Sequence, residues 1–391
     1  MIPAARVQAA IEILDRVLRG APTERELTAW ARGSRYAGSS DRAAVRDHVF
    51  DALRRLRSSA WTGGTDPERP EAMGASRVMW GLLRGQGVDP AQFFTGAPHA
   101  PAPIDPTPTA CHPMPEGIAL DVPDWLRVRA GADLDASFQA LRERAPVFLR
   151  ANPRRASRLE VLAALRDCGI EAASDPTATH AIRLDGPARG LTNLNTFREG
   201  WFELQDAGSQ ALVDALPLRT GERVLDLCAG GGGKSLAMAG LGAGPIFAYD
   251  ADMHRMRDIP ARATRAGAAI AIVENPEALA PFDGVVADVP CSGSGAWRRA
   301  PEAKWRLTPR RLDELEAVQS SILARAAHLV RPGGWVAYMT CSILPEENAA
   351  RADAAATALG LALELRCDLP CRSGGHDGFH LSVLQRVGDA V

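Results

Sequence analysis

The spacing of hydrophobic and polar residues divides the chain into regions of different structure. In residues 1–95 apolar side chains recur at helical spacing, for example at Val7, Ile11 and Leu14. Residues 96–123 contain eight prolines, too many for a helix or a central strand, because proline lacks the backbone N–H that both need. The pattern therefore predicts an all-helical region followed by a proline-rich linker or extended strap.

A mixed pattern follows in residues 124–204. It predicts a strand from Ala145 to Arg150, a helix from Leu159 to Cys168 and a second strand from Ala181 to Leu184. We interpret this region as a small α/β domain.

From residue 205 to residue 391 predicted strands and helices alternate. The predicted strands are Arg223–Leu227, Pro245–Tyr249, Ala269–Val273, Gly284–Ala287 and Trp335–Met339, and the predicted helices are Ser235–Leu241, His254–Ala266 and Leu312–Leu329. Alternation at this spacing is typical of a parallel, doubly wound sheet. The expected fold class is therefore α/β, with a Rossmann-like domain at 205–391.

Charge and cysteine usage narrow the class of protein. The net charge of −2 over 391 residues excludes a uniformly basic nucleic-acid binder, although residues 142–158 and 297–311 each carry a net charge of +5. Such arginine-rich stretches can follow a phosphate backbone, but a charged stretch is more often a solvated face. The seven cysteines show no paired metal-ligand spacing, so no metal is expected.

The location expected from the sequence is cytoplasmic. Residues 1–19 carry Glu12 and Asp15 within their apolar pattern, which is unlike a signal peptide. No apolar run approaches the roughly 20 residues that a membrane-spanning helix needs. Reduced, chemically available thiols and a monomer are the corresponding expectations, because nothing in the sequence demands a larger assembly.

Two short motifs place a cysteine directly after a predicted strand. These are Asp288-Val-Pro-Cys291 and Thr340-Cys341-Ser342. Open α/β sheets bind their ligands at the carboxyl ends of their strands, so both thiols are expected at one crevice. Single cysteines usually behave as small buried hydrophobes. Two of them in polar turns on one sheet edge instead favour nucleophilic chemistry, with one thiol attacking and the other helping release.

A glycine-rich segment, Cys228-Ala-Gly-Gly-Gly-Gly-Lys234, joins a predicted strand to a predicted helix. A nucleoside triphosphate loop requires glycine where Cys228 stands, which disfavours that class. Asp250 ends the next strand and suits the two hydroxyls of a ribose, although it suits the N-cap of the following helix equally well. Asp226 beside the loop suits a cofactor amino group, which favours S-adenosylmethionine over NAD.

These motifs together resemble the Nol/Nop/Sun family of RNA cytosine-5 methyltransferases. The resemblance is closest to the bacterial branch that modifies small-subunit ribosomal RNA, and it extends over residues 200–210, 226–234, 288–295, 340–348 and 377–379. It implies a class I methyltransferase domain, a NusB-like RNA-binding domain at 1–95 and a small RRM-like domain at 124–204. Two departures stand out: Gly230-Gly231 replace an alanine-proline pair, which predicts a looser loop, and His380 replaces an aromatic residue.

The resemblance also implies the roles of individual residues. Catalysis is expected from Cys341, Cys291, Asp288 and Lys234. The residues expected to bind the cofactor are Asp226, Cys228, Ala229, Gly230, Gly231, Gly232, Gly233, Lys234, Asp250, Arg255, Glu274, Asn275, Asp288 and Pro290. Either Glu274 or Asn275 is expected to meet the adenine amino group. Lys234 is expected to lower a thiol pKa or to orient Asp288, and its alternative is a solvent-facing lysine at a helix start.

Methylation at carbon 5 of cytosine needs a thiolate that adds to carbon 6, because carbon 5 alone is a poor nucleophile. From the residues alone either cysteine can be that nucleophile, since a Pro-Cys at such a strand end attacks in DNA cytosine-5 enzymes. The resemblance implies that Cys341 attacks and that Cys291 assists release. The expected partner is RNA, most simply ribosomal RNA, and the alternatives are transfer RNA and a non-catalytic ribosome-assembly factor.

Basic and aromatic residues after the first cysteine motif are candidates for RNA contacts. We expect the basic side chains to hold phosphates and the two tryptophans to stack on bases, the alternative for each tryptophan being core packing. The candidates are Trp297, Arg298, Arg299, Lys304, Trp305, Arg306, Arg310 and Arg311.

Overall fold

Helices form the amino-terminal part of the protein, as the spacing of its apolar residues predicts. The computed structural model describes residues 1–69, 72–105, 113–186 and 190–387. The α-helices described before residue 145 are α1 (Pro3–Leu18), α2 (Thr23–Gly33), α3 (Ser39–Arg54), α4 (Leu56–Thr62), α5 (Ala75–Gly85), α6 (Glu116–Ala119), α7 (Asp124–Ala130) and α8 (Asp135–Ala140). Buried faces of α1, α3, α4 and α5 contribute to one hydrophobic cluster.

The proline-rich stretch is only partly described, because residues 106–112 lie outside the described part of the chain. The expectation that it contains no helix is wrong at α6, a single turn that begins directly after Pro115. Proline is well tolerated at a helix start, where the missing N–H has no intrahelical partner.

The protein divides into two compact units. The first consists of Met1–Arg144 and Trp297–Arg306, and the second of Ala145–Ala296 and Leu307–Val391. The short insertion in the first unit contains a helix, Glu302–Arg306. It satisfies carbonyls at the end of α3, because the Trp305 indole donates to the Leu53 carbonyl at 2.7 Å and the Lys304 ammonium to the Arg54 carbonyl at 3.3 Å.

The second unit begins with a small antiparallel sheet. Its strands are β1 (Val147–Ala151), β2 (Ala172–Ser174), β3 (Ala181–Leu184) and β4 (Phe202–Leu204), in the order β2-β3-β1-β4. Helix α9 (Arg158–Asp167) links β1 to β2, and the short helix α10 (Asn195–Arg198) precedes β4. Val161 and Leu165 of α9 pack on the apolar face of this sheet. The predicted small α/β domain is confirmed as a fold.

A seven-stranded sheet forms the rest of the second unit. Its strands are β5 (Thr220–Asp226), β6 (Gly244–Ala248), β7 (Ile270–Ile272), β8 (Phe282–Asp288), β9 (Val330–Thr340), β10 (Leu361–Leu369) and β11 (Phe379–Arg386). The spatial order is β10-β11-β9-β8-β5-β6-β7. Strands β5 to β9 are parallel, and β11 is antiparallel to both of its neighbours. The Rossmann-like α/β class is therefore confirmed.

Helices cover both faces of this sheet. They are α11 (Ala207–Asp214), α12 (Gly233–Gly240), α13 (Ile259–Ala266), α15 (Pro309–Leu329) and α16 (Ala349–Leu359). The remaining helix, α14 (Glu302–Arg306), belongs to the first unit. Leu323 of α15 and Ala352 of α16 bury against one face, and Leu212 of α11 and Met238 of α12 against the other. The chain crosses from β7 on one side of β5 to β8 on the other, so a topological switch point lies between β5 and β8.

One predicted helix in this domain is interrupted. The prediction of a continuous helix from His254 to Ala266 is wrong, because a 3₁₀ turn at Met253–Met256 precedes α13. Pro260 lies in the first turn of α13, where its fixed backbone angle suits a helix start but does not continue an earlier helix.

Candidate functional site

A cavity of about 390 Å³ lies at the carboxyl ends of β5 and β8, at the switch point of the large sheet. Glycines, carboxylates and both motif cysteines line it. The lining residues are Gln205, Ser209, Asp226, Cys228, Ala229, Gly230, Gly231, Gly233, Lys234, Arg255, Asp288, Val289, Pro290, Cys291 and Cys341. The sheet thus gathers residues from separate motifs into one crevice.

The two motif cysteines meet at this cavity. Cys291 Sγ and Cys341 Sγ are 3.5 Å apart, within hydrogen-bonding distance for sulfur. Their turns are joined by the backbone, because Gly295 N–H donates to the Cys341 carbonyl at 2.9 Å. The hydrogen bond with Cys341, burial, and the negative charge of Glu347 together raise the pKa of the Cys291 thiol well above its usual value. Cys291 is therefore held as a thiol.

A partly buried ion pair lies beside the thiols. Lys234 Nζ donates to Asp288 Oδ2 at 2.6 Å, and the lysine side chain is only 11% exposed. Burial opposes the charge of Lys234, but Asp288 and Cys341 favour it, and the pKa of Lys234 is raised. Lys234 is thus a fixed cation at the thiol pair, and the alternative of a solvent-facing lysine is wrong.

Asp226 lines the cavity and has one carboxylate oxygen without a hydrogen-bond partner among the described residues. Ser235 Oγ donates to Asp226 Oδ2 at 2.6 Å, whereas Asp226 Oδ1 is buried and has no hydrogen-bond partner among the described residues. Burial raises the pKa of Asp226 to about 6. A buried acceptor without a partner is costly, so this oxygen fits a donor group on a bound molecule.

The glycine loop turns sharply between β5 and α12. Gly232 has a φ of +79°, and a side-chain Cβ there would lie 2.8 Å from Ile259 Cγ1. Glycine is therefore required at this position for both backbone angle and space. The N–H of Gly230 donates to Asp250 Oδ2 at 2.9 Å, which anchors the loop to the end of β6.

A second anchor holds the loop from the opposite side. The Arg262 guanidinium donates to the Gly231 carbonyl and also to Glu203 Oε2 at 2.9 Å. Arg265 pairs with the other oxygen of Glu203, a carboxylate only 6% exposed. Two arginines therefore share one buried carboxylate, and one of them also donates to the loop. These contacts support the Gly230-Gly231 loop, and the looser loop expected from the sequence stays a prediction.

Several predicted cofactor residues lie around the cavity rather than in its wall. Asp250 is buried, accepts from the loop and pairs with Arg255 Nη1 at 3.1 Å. The Asp250 carboxylate also accepts from the Asp252 N–H. The N-cap of the following turn is Asp252, which accepts from the His254 N–H, and not Asp250. Glu274 and Asn275 are exposed and do not line the cavity, and their predicted contact with an adenine stays a prediction.

Sequence reasoning assigned no role to Gln205 and Ser209, which also line the cavity. Gln205 Oε1 accepts from Arg150 at 2.6 Å and Gln205 Nε2 donates to Ser209 Oγ at 3.2 Å. In the sequence they form a polar pair, four residues apart, on either side of a helix start. Turns and helix caps produce the same pattern, so the pair alone does not predict a binding site.

The structure corrects part of the predicted RNA-contact set. Trp297, Arg298 and Lys304 are each no more than 1% exposed, so they do not hold phosphates or stack on bases. Trp305 packs against the helical core of the first unit, which confirms the core-packing alternative for the tryptophans. Arg299, Arg306, Arg310 and Arg311 are exposed.

Two parts of the chain match known protein families. A family model described as 16S rRNA methyltransferase RsmB/F matches residues 213–359, which contain both cysteine motifs and the glycine loop. A model of the ferredoxin-like domain of RsmF/B-like methyltransferases matches residues 122–189. Residues 213–359 thus match the RsmB/F methyltransferase family, and residues 122–189 match its ferredoxin-like domain. The resemblance to the Nol/Nop/Sun enzymes is confirmed.

Two curated relatives of this chain carry one name. Ribosomal RNA small subunit methyltransferase B of Klebsiella pneumoniae strain 342 is 35% identical over 238 residues, and that of Yersinia pestis bv. Antiqua strain Angola is 36% identical over 241 residues. Each match covers 58% of this chain. The chain spans about half the length of these relatives, 55% in both cases.

Solved structures share the fold. PH0851 aligns over 98% of this chain and 99% of its own length, with a TM-score of 0.73 and 23% identity. NSun6 from Pyrococcus horikoshii, solved with SFG, aligns over 68% of this chain and 97% of its own, with a TM-score of 0.60 and 17% identity. At these identities the likeness establishes the fold alone.

Membrane-spanning helices and metal-holding clusters are both absent from the described residues. No helix in the described ranges has the length and apolar character needed to cross a membrane. No group of three or more His, Cys, Asp or Glu side chains within those ranges is arranged to hold a metal ion.

Proposed function

We propose that this protein transfers a methyl group from S-adenosylmethionine to carbon 5 of a cytosine in RNA. The observation that carries the proposal is the pair of thiols, 3.5 Å apart, beside the Lys234–Asp288 ion pair in one cavity. A site for methylating an already nucleophilic atom needs neither thiol. Two thiols at one position match a reaction in which a covalent bond to the base is made and later broken.

The cavity has the groups that S-adenosylmethionine needs. Asp226 Oδ1 is a buried acceptor for an amino group, and the backbone N–H groups at the start of α12 favour a carboxylate. The ribose hydroxyls are assigned to Asp250, which requires Arg255 to release or share that carboxylate. When bound, the cofactor supplies an electrophilic methyl group.

The chain's own residues then perform the steps on the base. The Cys341 thiolate adds to carbon 6 of cytosine, while the Asp288–Lys234 pair hydrogen-bonds the ring at nitrogen 3. Carbon 5, now enamine-like, takes the methyl group. Water takes the carbon 5 proton, and the electron pair of that bond restores the carbon 5–carbon 6 double bond. Cys341 then leaves carbon 6 as a thiolate, which Cys291 assists by donating a hydrogen bond from its thiol to Cys341 Sγ.

The electrostatic difference between the two thiols supports these roles. Cys291 is held protonated by its hydrogen bond to Cys341, by burial and by Glu347. Cys341 lies close enough to the Lys234 ammonium for the two charges to interact. A nucleophile must react as a thiolate, which is favoured next to a cation. These observations favour Cys341 as the nucleophile.

Small-subunit ribosomal RNA is the proposed substrate, on the strength of the relatives' names. Transfer RNA is the competing substrate. A purely structural role in ribosome assembly is disfavoured, because RNA binding alone needs neither the partly buried Lys234–Asp288 pair nor two adjacent thiols.

The test is a trapping experiment with three cysteine variants. Purified wild-type protein, C291A, C341A and the control C168A, an exposed cysteine outside the cavity, are incubated with S-adenosylmethionine and small-subunit ribosomal RNA or transfer RNA. We expect C291A to accumulate a protein–RNA adduct that survives denaturing electrophoresis, C341A to give none, and C168A to turn over normally.

Each other outcome removes one part of the proposal. An adduct with C341A instead of C291A reverses the thiol roles. An adduct with transfer RNA alone replaces the substrate. Absence of 5-methylcytosine with wild-type protein on either RNA overturns the activity.

A further inference from the structure

We infer that Glu347 is a positioning residue that holds the two cysteine turns in register. The inference rests on the proposed function for its consequence in catalysis, but its geometry is independent of it. Glu347 is completely buried, and it lies six residues after Cys341 in the sequence. No motif interpretation gave it a role.

The Glu347 carboxylate grips the Cys291 turn directly. The Ser292 N–H donates to Glu347 Oε1 at 2.7 Å and the Ser292 hydroxyl donates to Glu347 Oε2 at 2.5 Å. Ser292 follows Cys291 in the chain, so this two-point contact fixes the backbone that carries the thiol.

The same carboxylate grips the Cys341 turn. The Ser342 hydroxyl donates to Glu347 Oε2 at 2.6 Å, and Ser342 follows Cys341. The hydroxyl of Ser342 also lies 2.8 Å from that of Ser294, whose oxygen accepts from the Ile343 N–H at 2.9 Å. One oxygen of Glu347 therefore bridges two loops that are 50 residues apart in sequence.

A third element keeps the carboxylate in place. Gln319 of α15 donates from Nε2 to Glu347 Oε1 at 3.0 Å and to the Pro290 carbonyl at 3.1 Å. Pro290 directly precedes Cys291, so the amide supports the same turn from the helix side. Gln319 is completely buried, and Tyr338 of β9 donates to its Oε1 at 3.2 Å.

A purely structural role does not explain why a carboxylate is used at residue 347. Glu347 only accepts in these four bonds, as an ionised carboxylate does, and all four donors are neutral. Burying a charge on neutral donors is costly, whereas an apolar side chain could fill the same space. The charge acts on the neighbouring thiol, because Glu347 is one of the groups that raise the pKa of Cys291. Glu347 thus fixes the position of the turns and contributes to the raised pKa of Cys291.

The experiment compares E347Q with E364Q, the same change at an exposed site on β10. Iodoacetamide alkylation of Cys291 and Cys341 in the free protein is followed by peptide mass spectrometry between about pH 7 and 11. Because Glu347 contributes to the raised pKa of Cys291, loss of its charge should shift the Cys291 alkylation profile to lower pH. In methyl-transfer assays the kcat of E347Q should fall roughly 10- to 100-fold, with the KM for S-adenosylmethionine unchanged. E364Q should match wild-type protein in every measurement.

The two readouts separate this inference from the proposed function. A Cys291 alkylation profile that superimposes on wild type, or a KM for S-adenosylmethionine that rises with the loss of kcat, overturns the role of Glu347. Failure of wild-type protein to methylate RNA overturns the proposed function and leaves the alkylation comparison decisive for Glu347. If E347Q does not fold, S292A replaces it. That variant keeps the carboxylate but loses one donor, and wild-type kcat in S292A overturns the inference.

Discussion

Replacing Gly295 with alanine should uncouple cofactor binding from turnover. The backbone of Gly295 lies against that of Gly378, so that a Cβ at residue 295 would lie 2.1 Å from the Gly378 carbonyl oxygen. Gly295 also donates its N–H to the Cys341 carbonyl and accepts from the Gly378 N–H, each at 2.9 Å. It therefore connects the Cys291 turn, the Cys341 turn and the segment before β11.

The size of the effect follows from the distance. Real Cβ contacts essentially never fall below 3.0 Å, so G295A must separate the two backbones by about 0.9 Å. The neighbour is a backbone carbonyl, which cannot rotate away as a side chain can. Displacement of about 1 Å near reacting groups costs roughly 100-fold in rate, and overpacking costs about 1–3 kcal/mol of stability.

Three measurements test this expectation. Thermal unfolding should show destabilisation, steady-state methyl transfer should show kcat reduced roughly 100-fold, and calorimetry should show a Kd for S-adenosylmethionine within about twofold of wild type, because the glycine loop is untouched. G85A is the matched control, since a Cβ at the exposed end of α5 meets nothing within 4 Å. Undiminished kcat in a folded G295A protein, or parallel loss of cofactor affinity, would refute the reasoning.

Two further predictions concern the cofactor side of the cavity. R262M should raise the Kd for S-adenosylmethionine several-fold without changing kcat at saturation, because it removes the donor to the Gly231 carbonyl. The control R331M breaks an exposed ion pair with Asp283 and should leave that Kd unchanged. Calorimetry on both variants checks this, and equal affinities would contradict it. Because burial raises the pKa of Asp226 to about 6, the apo protein should lose stability as the pH rises from about 4 to 6, where the folded state binds the extra proton. D226N should abolish this pH-dependent loss of stability, measured by denaturant titration, and should also weaken cofactor binding. A D226N stability profile that parallels wild type would contradict the raised pKa of Asp226.

Local pattern was sufficient to predict the five parallel strands of the large sheet, but not the antiparallel strands β10 and β11. The strands at Gly284–Ala287 and Trp335–Met339 are short apolar runs, and their partners follow from the alternation with helices. In the structure β8 and β9 are adjacent and parallel, with Asp288 paired to Met339. Each motif begins where its strand ends, so the meeting of Cys291 and Cys341 could be predicted from a fold class and two local signals.

Features that depend on distant neighbours could not be predicted in this way. Arg298 and Lys304 lie in a basic stretch of the sequence, which is typical of surface residues. In the structure residues 297–306 belong to the helical unit, and both side chains are buried. Within that unit the Lys304 ammonium donates to the Arg54 carbonyl at the end of α3. Burial also lowers the pKa of Lys304 to about 8, an effect that has no signature in the local sequence.

The position of Glu347 shows how the fold can give two identical side chains different chemistry. The thiols are 3.5 Å apart and share one cavity, so proximity alone does not distinguish them. Lys234 interacts electrostatically with Cys341, whereas the negative charge of Glu347 acts on Cys291. The negative charge of Glu347 favours the protonated form of Cys291, which suits its proposed role of assisting release as a thiol. Neutralising Glu347 should therefore make Cys291 easier to deprotonate without removing a sulfur atom.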